Sequence, residues 1–194
     1  MKSKDVLRFI FVNPFEKIAG WQALGLGLII VVLSTLIASY NDAYFNSAWG
    51  MQIMDSRPLW VAFAMLGISL ASMLLMFLLT GVFFSKNFRV IDVIGTSFLA
   101  RAPYLFLAVT ACIPMPEILK DPAALIENVN VLFLSFTFWV YIVLTVLITV
   151  WFMALHYHAF RVSLNIRKSV NVIVFIVSII FAGIFSTILI HVLL

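Results

Sequence analysis

Hydrophobic positions along this chain come in long runs separated by short polar breaks. The runs are Gly20–Tyr40, Trp60–Phe84, Val90–Ile113, Val131–Leu155 and Val170–Leu194. A helix of about 20 mostly apolar residues crosses the hydrocarbon core of a bilayer. A helix also satisfies its own backbone hydrogen bonds, as lipid demands. The pattern therefore predicts an all-α polytopic membrane protein: one bundle of five transmembrane helices occupying residues 1–194 as a single domain. The connections are short, and the longest has room for one small surface helix.

Composition agrees. The chain is 64% hydrophobic and 10% charged, against about 25% charged for an average soluble domain, which excludes a water-soluble fold. The net charge of +4 raises nucleic acid as a partner, but the basic residues flank the spans, where they set orientation. Lys2, Lys4, Arg8, Lys17, Lys86, Arg89, Arg161, Arg167 and Lys168 fall on one side, and Arg57 and Lys120 on the other. This bias places the N-terminus in the cytoplasm and the C-terminus outside. The first span reads as an uncleaved anchor, because it follows a charged start, lacks a small-residue cleavage site and exceeds a signal core in length. The lone Cys112 excludes an intramolecular disulfide and a cysteine-based metal site.

The span boundaries carry further signals. Trp21 and Trp151 mark inner boundaries, Trp49 and Trp60 outer ones, and Trp139 is placed deeper, between helices. Val6, Leu7, Phe9 and Ile10 alternate with Lys4 and Arg8 as in a short helix on the anionic inner surface. Asn13-Pro14-Phe15-Glu16 reads as a capped helix start running on into the first span, with a plain juxtamembrane turn as the alternative. Residues 117–130 suit a short interfacial helix outside. Lys86, Arg89, Arg161, Arg167 and Lys168 are expected on lipid headgroups at the cytoplasmic face.

Candidate chemistry centres on Arg101, near the middle of the third span, where a charge costs at least a few kcal/mol. Pro103 follows, and a helical proline frees the carbonyl four residues back, here that of Leu99. One reading has Arg101 facing a polar cavity and binding an anionic group such as a lipid phosphate. The other has it capping freed carbonyls or bonding neighbouring helices. Asp92 is on the opposite helix face, so Tyr141 and Thr145 of the fourth span, or a lipid, are the candidate partners. His156-Tyr157-His158 reads as a polar inner boundary, since histidines at i and i+2 project from different faces and hold no common metal. His191 lies at the outer interface. Ala19, Ala23 and Gly27, then Gly67 and Ala71, then Ser178, Ala182 and Ser186 recur at the spacing of close helix contacts, within one chain or in a homodimer. No carboxylate pair, nucleophile–base pair or phosphate-cradling loop stands out. No enzyme activity, cofactor or metal is expected.

The third span reads Gly95-Thr96-Ser97-Phe98-Leu99-Ala100-Arg101-Ala102-Pro103. This resembles the third-span motif of the Yip family, the five-span membrane proteins that interact with Rab GTPases. Asn13-Pro14-Phe15-Glu16-Lys17-Ile18 resembles the segment before the first span in bacterial Yip-domain proteins. The resemblance implies a non-enzymatic scaffold of membrane proteins or lipids, in a bacterial cytoplasmic (inner) membrane. Gly95, Ser97 and Pro103 of this motif join Arg101 and Tyr141 as the candidate ligand or helix-packing site. Eukaryotic members usually carry an aromatic residue where Arg101 stands, and a long N-terminal region with an Asp-Leu-Tyr-Gly-Pro motif that this sequence lacks. A Rab-type GTPase partner is therefore not expected; lipid, membrane proteins or a second copy are. A transporter or channel for a small solute, anion or lipid, with Arg101 and Pro103 lining the path, is the alternative function.

Overall fold

The structure is a computed structural model that describes residues 13–85, 87–113, 133, 135–166 and 168–194. Its helices are α1 (Gly20–Tyr40), α2 (Leu59–Phe84), α3 (Val90–Leu99), α4 (Pro103–Thr110), α5 (Phe136–Leu164) and α6 (Lys168–Leu193). With α3 and α4 taken as one broken span, five helical segments among the described residues are long and apolar enough to cross a membrane. The expected N-terminal surface helix and the interfacial helix at 117–130 lie outside the described residues, as do Lys86 and Arg167.

Several hydroxyls inside the spans are absorbed by their own helices. Ser34 and Thr35 both donate to the Val31 carbonyl, Ser72 to Ile68, Thr96 to Asp92 and Ser163 to Ala159. Each returns to a carbonyl three or four residues back, so these hydroxyls are not left to hydrocarbon. Between helices, Thr80 and Ser178 share a hydrogen bond of 2.7 Å.

Small residues set the closest approach. A Cβ at Gly27 would lie 2.5 Å from the Leu99 amide nitrogen, and one at Gly95 would collide with the Gly20 carbonyl. α1 thus packs backbone against backbone on α3, as small residues allow. Ala23 is in this contact, but Ala19 is exposed. Ser178, Ala182 and Ser186 are buried on α6. Gly67 and Ala71 are exposed, and no atom of the described residues lies within 4 Å of a Cβ built at Gly67.

The inner end departs from expectation. Pro14–Glu16 forms a single 3₁₀ turn, and the Asn13 side chain bonds the Glu16 carboxylate at 2.8 Å instead of capping a backbone amide. The helix does not run on into α1, because the chain turns at Gly20 with φ +56°. The detour drives Phe15 into the bundle, where it packs with Ala23, Leu99, Ala100, Leu155 and Ala159. α5 runs to Leu164, beyond the expected end at 155, and stops where Asn165 takes the left-handed conformation. This moves His156 from a boundary to full burial inside the span. Trp139 is 47% exposed near the start of α5, not packed between helices.

The largest departure is the connection between α1 and α2. It is not a surface loop. Ala43–Tyr44 and Gln52–Ile53 pair as a two-stranded antiparallel hairpin (β1 and β2), and Ala43, Tyr44, Phe45 and Ala48 are each at most 1% exposed. Ala48 donates its amide to Ser186 of α6 at 2.8 Å. Trp49 is not simply a belt anchor, since its indole fills the space that a side chain at Gly183 would need. Gly183 and Ser69 each lie about 15 Å along their helices from the outer ends at Leu193 and Leu59, at 1.5 Å rise per residue. The segment between the first two spans therefore enters the outer half of the bundle. Irregular backbone is stable at that depth only when protein, not lipid, surrounds it.

Five spans among the described residues put the stretches before α1 and after α6 on opposite sides of the membrane. A reporter fused after Leu194 should be external and one fused before Met1 cytoplasmic; an alkaline phosphatase and fluorescent-protein pair reads both.

Candidate functional site

The break between α3 and α4 builds the site. Pro103 has no amide hydrogen, and the chain responds by tightening. The Ala102 amide takes the Leu99 carbonyl at 3.0 Å, Arg101 N–H takes Phe98 O at 3.2 Å, and Tyr104 N–H takes Arg101 O at 2.8 Å. The Leu99 carbonyl is thus occupied, and Arg101 does not serve to cap it. The tight turn instead presents Arg101 and Tyr104 together toward the entering segment.

Arg101 is wholly buried and heads the fully buried side chains by volume. Its Nη1 donates to Ser69 Oγ on α2 at 3.2 Å, and its Nη2 to the Ala48 carbonyl at 3.2 Å. Tyr104 donates its hydroxyl to the same carbonyl at 3.3 Å. The guanidinium carbon lies 5.1 Å from the Tyr104 ring centroid, within cation–π range. Among the described residues no carboxylate pairs with it; the ion pair described is the exposed Arg89–Asp92 contact at 3.9 Å.

An aromatic stack runs through the same place. Phe45 of the entering segment stacks on Tyr104 at 4.6 Å and 5°, and Tyr104 stacks on Phe152 of α5 at 4.6 Å and 13°. Phe152 meets His156 at 4.0 Å. One carbonyl, one guanidinium and one phenol ring therefore tie the segment, α2, α4 and α5 to each other.

Three buried polar atoms here lack hydrogen-bond partners: Arg101 Nε, Ser97 Oγ and His156 Nε2. His156 Nδ1 is engaged with the Phe152 carbonyl at 3.0 Å. His156 and the half-buried His158 diverge, as the i, i+2 spacing requires.

The other expected site residues separate from this centre. Gly95 serves the α1 contact, and Pro103 is buried as the first residue of α4. Tyr141 stands about three turns from Phe152 along α5, half-buried, with no hydrogen bond to Arg101. Neither it nor Thr145 is the partner of Arg101; Ser69 and Ala48 are. The sequence reading missed Ala48, Ser69, Phe45 and Tyr104. Only Tyr104 had a local signal, three residues after Arg101. Of the expected headgroup contacts, Arg89 and Arg161 are exposed. Arg89 leans toward Asp92, a pairing worth little at the surface. Lys168 opens α6.

Fold and site define a polytopic integral membrane protein whose central polar residue is held by its own chain. No family model, curated protein or solved structure matches the chain.

Proposed function

We propose that the chain is a non-enzymatic membrane scaffold of Yip type that organises membrane proteins or lipids in a bacterial cytoplasmic membrane. The observation that carries this reading is the use made of Arg101. Its guanidinium is buried and bonds Ser69 and Ala48, so the charge holds the bundle together instead of lining an open path. The aromatic stack of Phe45, Tyr104 and Phe152 supports the same role. What remains for partners is the lipid-facing surface, including Gly67 and Ala71 on α2. Photo-crosslinking from a reactive residue at position 67 in native membranes tests this. A discrete adduct with a protein is the expected result, and lipid adducts alone would count against a scaffold that organises proteins.

A second reading, passage of a small solute, anion or lipid past Arg101 and Pro103, draws on the unpartnered Arg101 Nε, Ser97 Oγ and His156 Nε2. It requires the entering segment to leave its seat. Proteoliposomes would then show anion flux that Arg101→Leu abolishes; the scaffold reading expects no flux above empty vesicles.

A further inference from the structure

Arg57 runs against the charge bias. It is one of two basic residues that the chain places on the outer side, and the structure gives it a setting. A cavity of about 440 Å³, within the usual size range of ligand pockets, is bounded by Gln52, Met54, Arg57, Met65, Ile190 and His191, among others. It lies between the hairpin and the outer ends of α2 and α6.

Its two ends differ in chemistry. Arg57 and His191 are exposed and stand within a few residues of the helix ends at Leu59 and Leu193, which is headgroup level. The Arg57 backbone is pinned there: its amide donates to the Tyr44 hydroxyl at 2.7 Å, and its carbonyl accepts from that hydroxyl at 3.2 Å. Asn46 Nδ2 donates to Gln52 Oε1 at 2.6 Å. This fixes the Gln52 carboxamide and leaves its N–H₂ available as a donor. The mouth therefore offers a guanidinium, an amide N–H₂ and an imidazole. The opposite wall is apolar, with Tyr44, Val61, Met65 and Ile190 forming one buried cluster against which Met54 packs. Met65 lies about 9 Å below Leu59 along α2 at 1.5 Å per residue. Donors at headgroup level and an apolar wall reaching into acyl depth match an anionic amphiphile.

We propose that this cavity binds one anionic phospholipid of the outer leaflet, with its phosphate on Arg57, Gln52 and His191 and the start of an acyl chain against Met65 and Ile190. The site is separate from Arg101, and it stands whether or not the scaffold reading does. Charge-assisted bonds to phosphate supply the headgroup preference, and the buried wall supplies the tail contact.

Native mass spectrometry of the purified chain released from micelles tests both halves. With dioleoyl phosphatidylglycerol and dioleoyl phosphatidylcholine at equal concentration, one phosphatidylglycerol should be retained with roughly tenfold preference. Arg57→Gln should remove that preference, while Arg57→Lys, which keeps the charge, should retain most of it. Dihexanoyl phosphatidylglycerol, which keeps the headgroup and loses most of the chain, should be retained about tenfold less than the dioleoyl lipid. Equal retention of the two dioleoyl lipids, or an Arg57→Gln variant that keeps the preference, overturns the proposal. Equal retention of the short-chain lipid overturns its tail half. Arg57 and His191 face solvent, so these readouts do not depend on a variant that disturbs the core.

Discussion

Arg101→Leu should release the segment around Ala48 from the bundle. Two hydrogen bonds from a charged donor are lost, each worth about 1.5–3 kcal/mol, along with the guanidinium–Tyr104 contact. Removing a buried charge that has no carboxylate among the described residues gives part of this back. Leucine is also smaller, and the space left behind costs stability of its own. The expected net loss is about 2–4 kcal/mol in detergent unfolding. The direct readout is accessibility. In a Cys112→Ser background, Ala48→Cys should resist a membrane-impermeant maleimide, because position 48 is fully buried. Adding Arg101→Leu should make it react. Arg101→Lys should fall between the two, since an ammonium lacks the fork that reaches Ser69 and Ala48 together. Equal protection of the thiol at position 48 with and without Arg101 would show that the aromatic stack alone seats the segment.

Alanine at Gly27 or Gly95 should cost about 3 kcal/mol or more, with the double substitution failing to assemble. The atoms in the way are backbone: the Leu99 amide for Gly27 and the Gly20 carbonyl for Gly95. No side chain can rotate these atoms aside, so α1 itself must move off α3. The same substitution at Gly67 should be neutral or raise stability by about 0.4–1 kcal/mol, because nothing lies within 4 Å of its Cβ position. Folded yield by size exclusion in detergent, compared across the three single variants, gives the result. A Gly67→Ala loss as large as that at Gly27 would mean that the exposed face of α2 packs on a second copy.

Much of the architecture was legible along the chain because lipid imposes a local rule. A segment such as Leu59–Phe84 announces itself by length and apolarity alone. The break at Pro103 was legible for a similar reason, since a missing amide hydrogen is a local fact. Its consequence was not. The freed Leu99 carbonyl was taken by Ala102 through a tighter turn, a choice among neighbours that the proline alone does not decide. The end of α5 was misplaced by more than two turns. His156-Tyr157-His158 looks like a polar boundary, yet His156 is buried and engages the Phe152 carbonyl.

Arg101 stood out because an intramembrane charge is costly, but its partners did not. Ser69 and Ala48 are ordinary in sequence, a hydroxyl in one span and an alanine in a polar-looking connection. Hydropathy reads 41–58 as external because Asn41, Asp42, Asn46, Gln52, Asp55 and Arg57 interrupt its apolar residues; nothing local reports that Ser186 and Gly183 have left room for Ala48 and Trp49.

By itself, the sequence determined the solvent of this protein, the spans that must cross it and the side bias of its charges. These follow from the composition of contiguous stretches, because each helix meets lipid largely on its own. Only the tertiary structure decided that a connection enters the bundle, that Arg101 is spent on holding it, and that Arg57 and His191 converge over an apolar wall. Those outcomes depend on which surfaces from distant parts of the chain fit together, a matter of shape and hydrogen-bond partners at long range that no single stretch encodes.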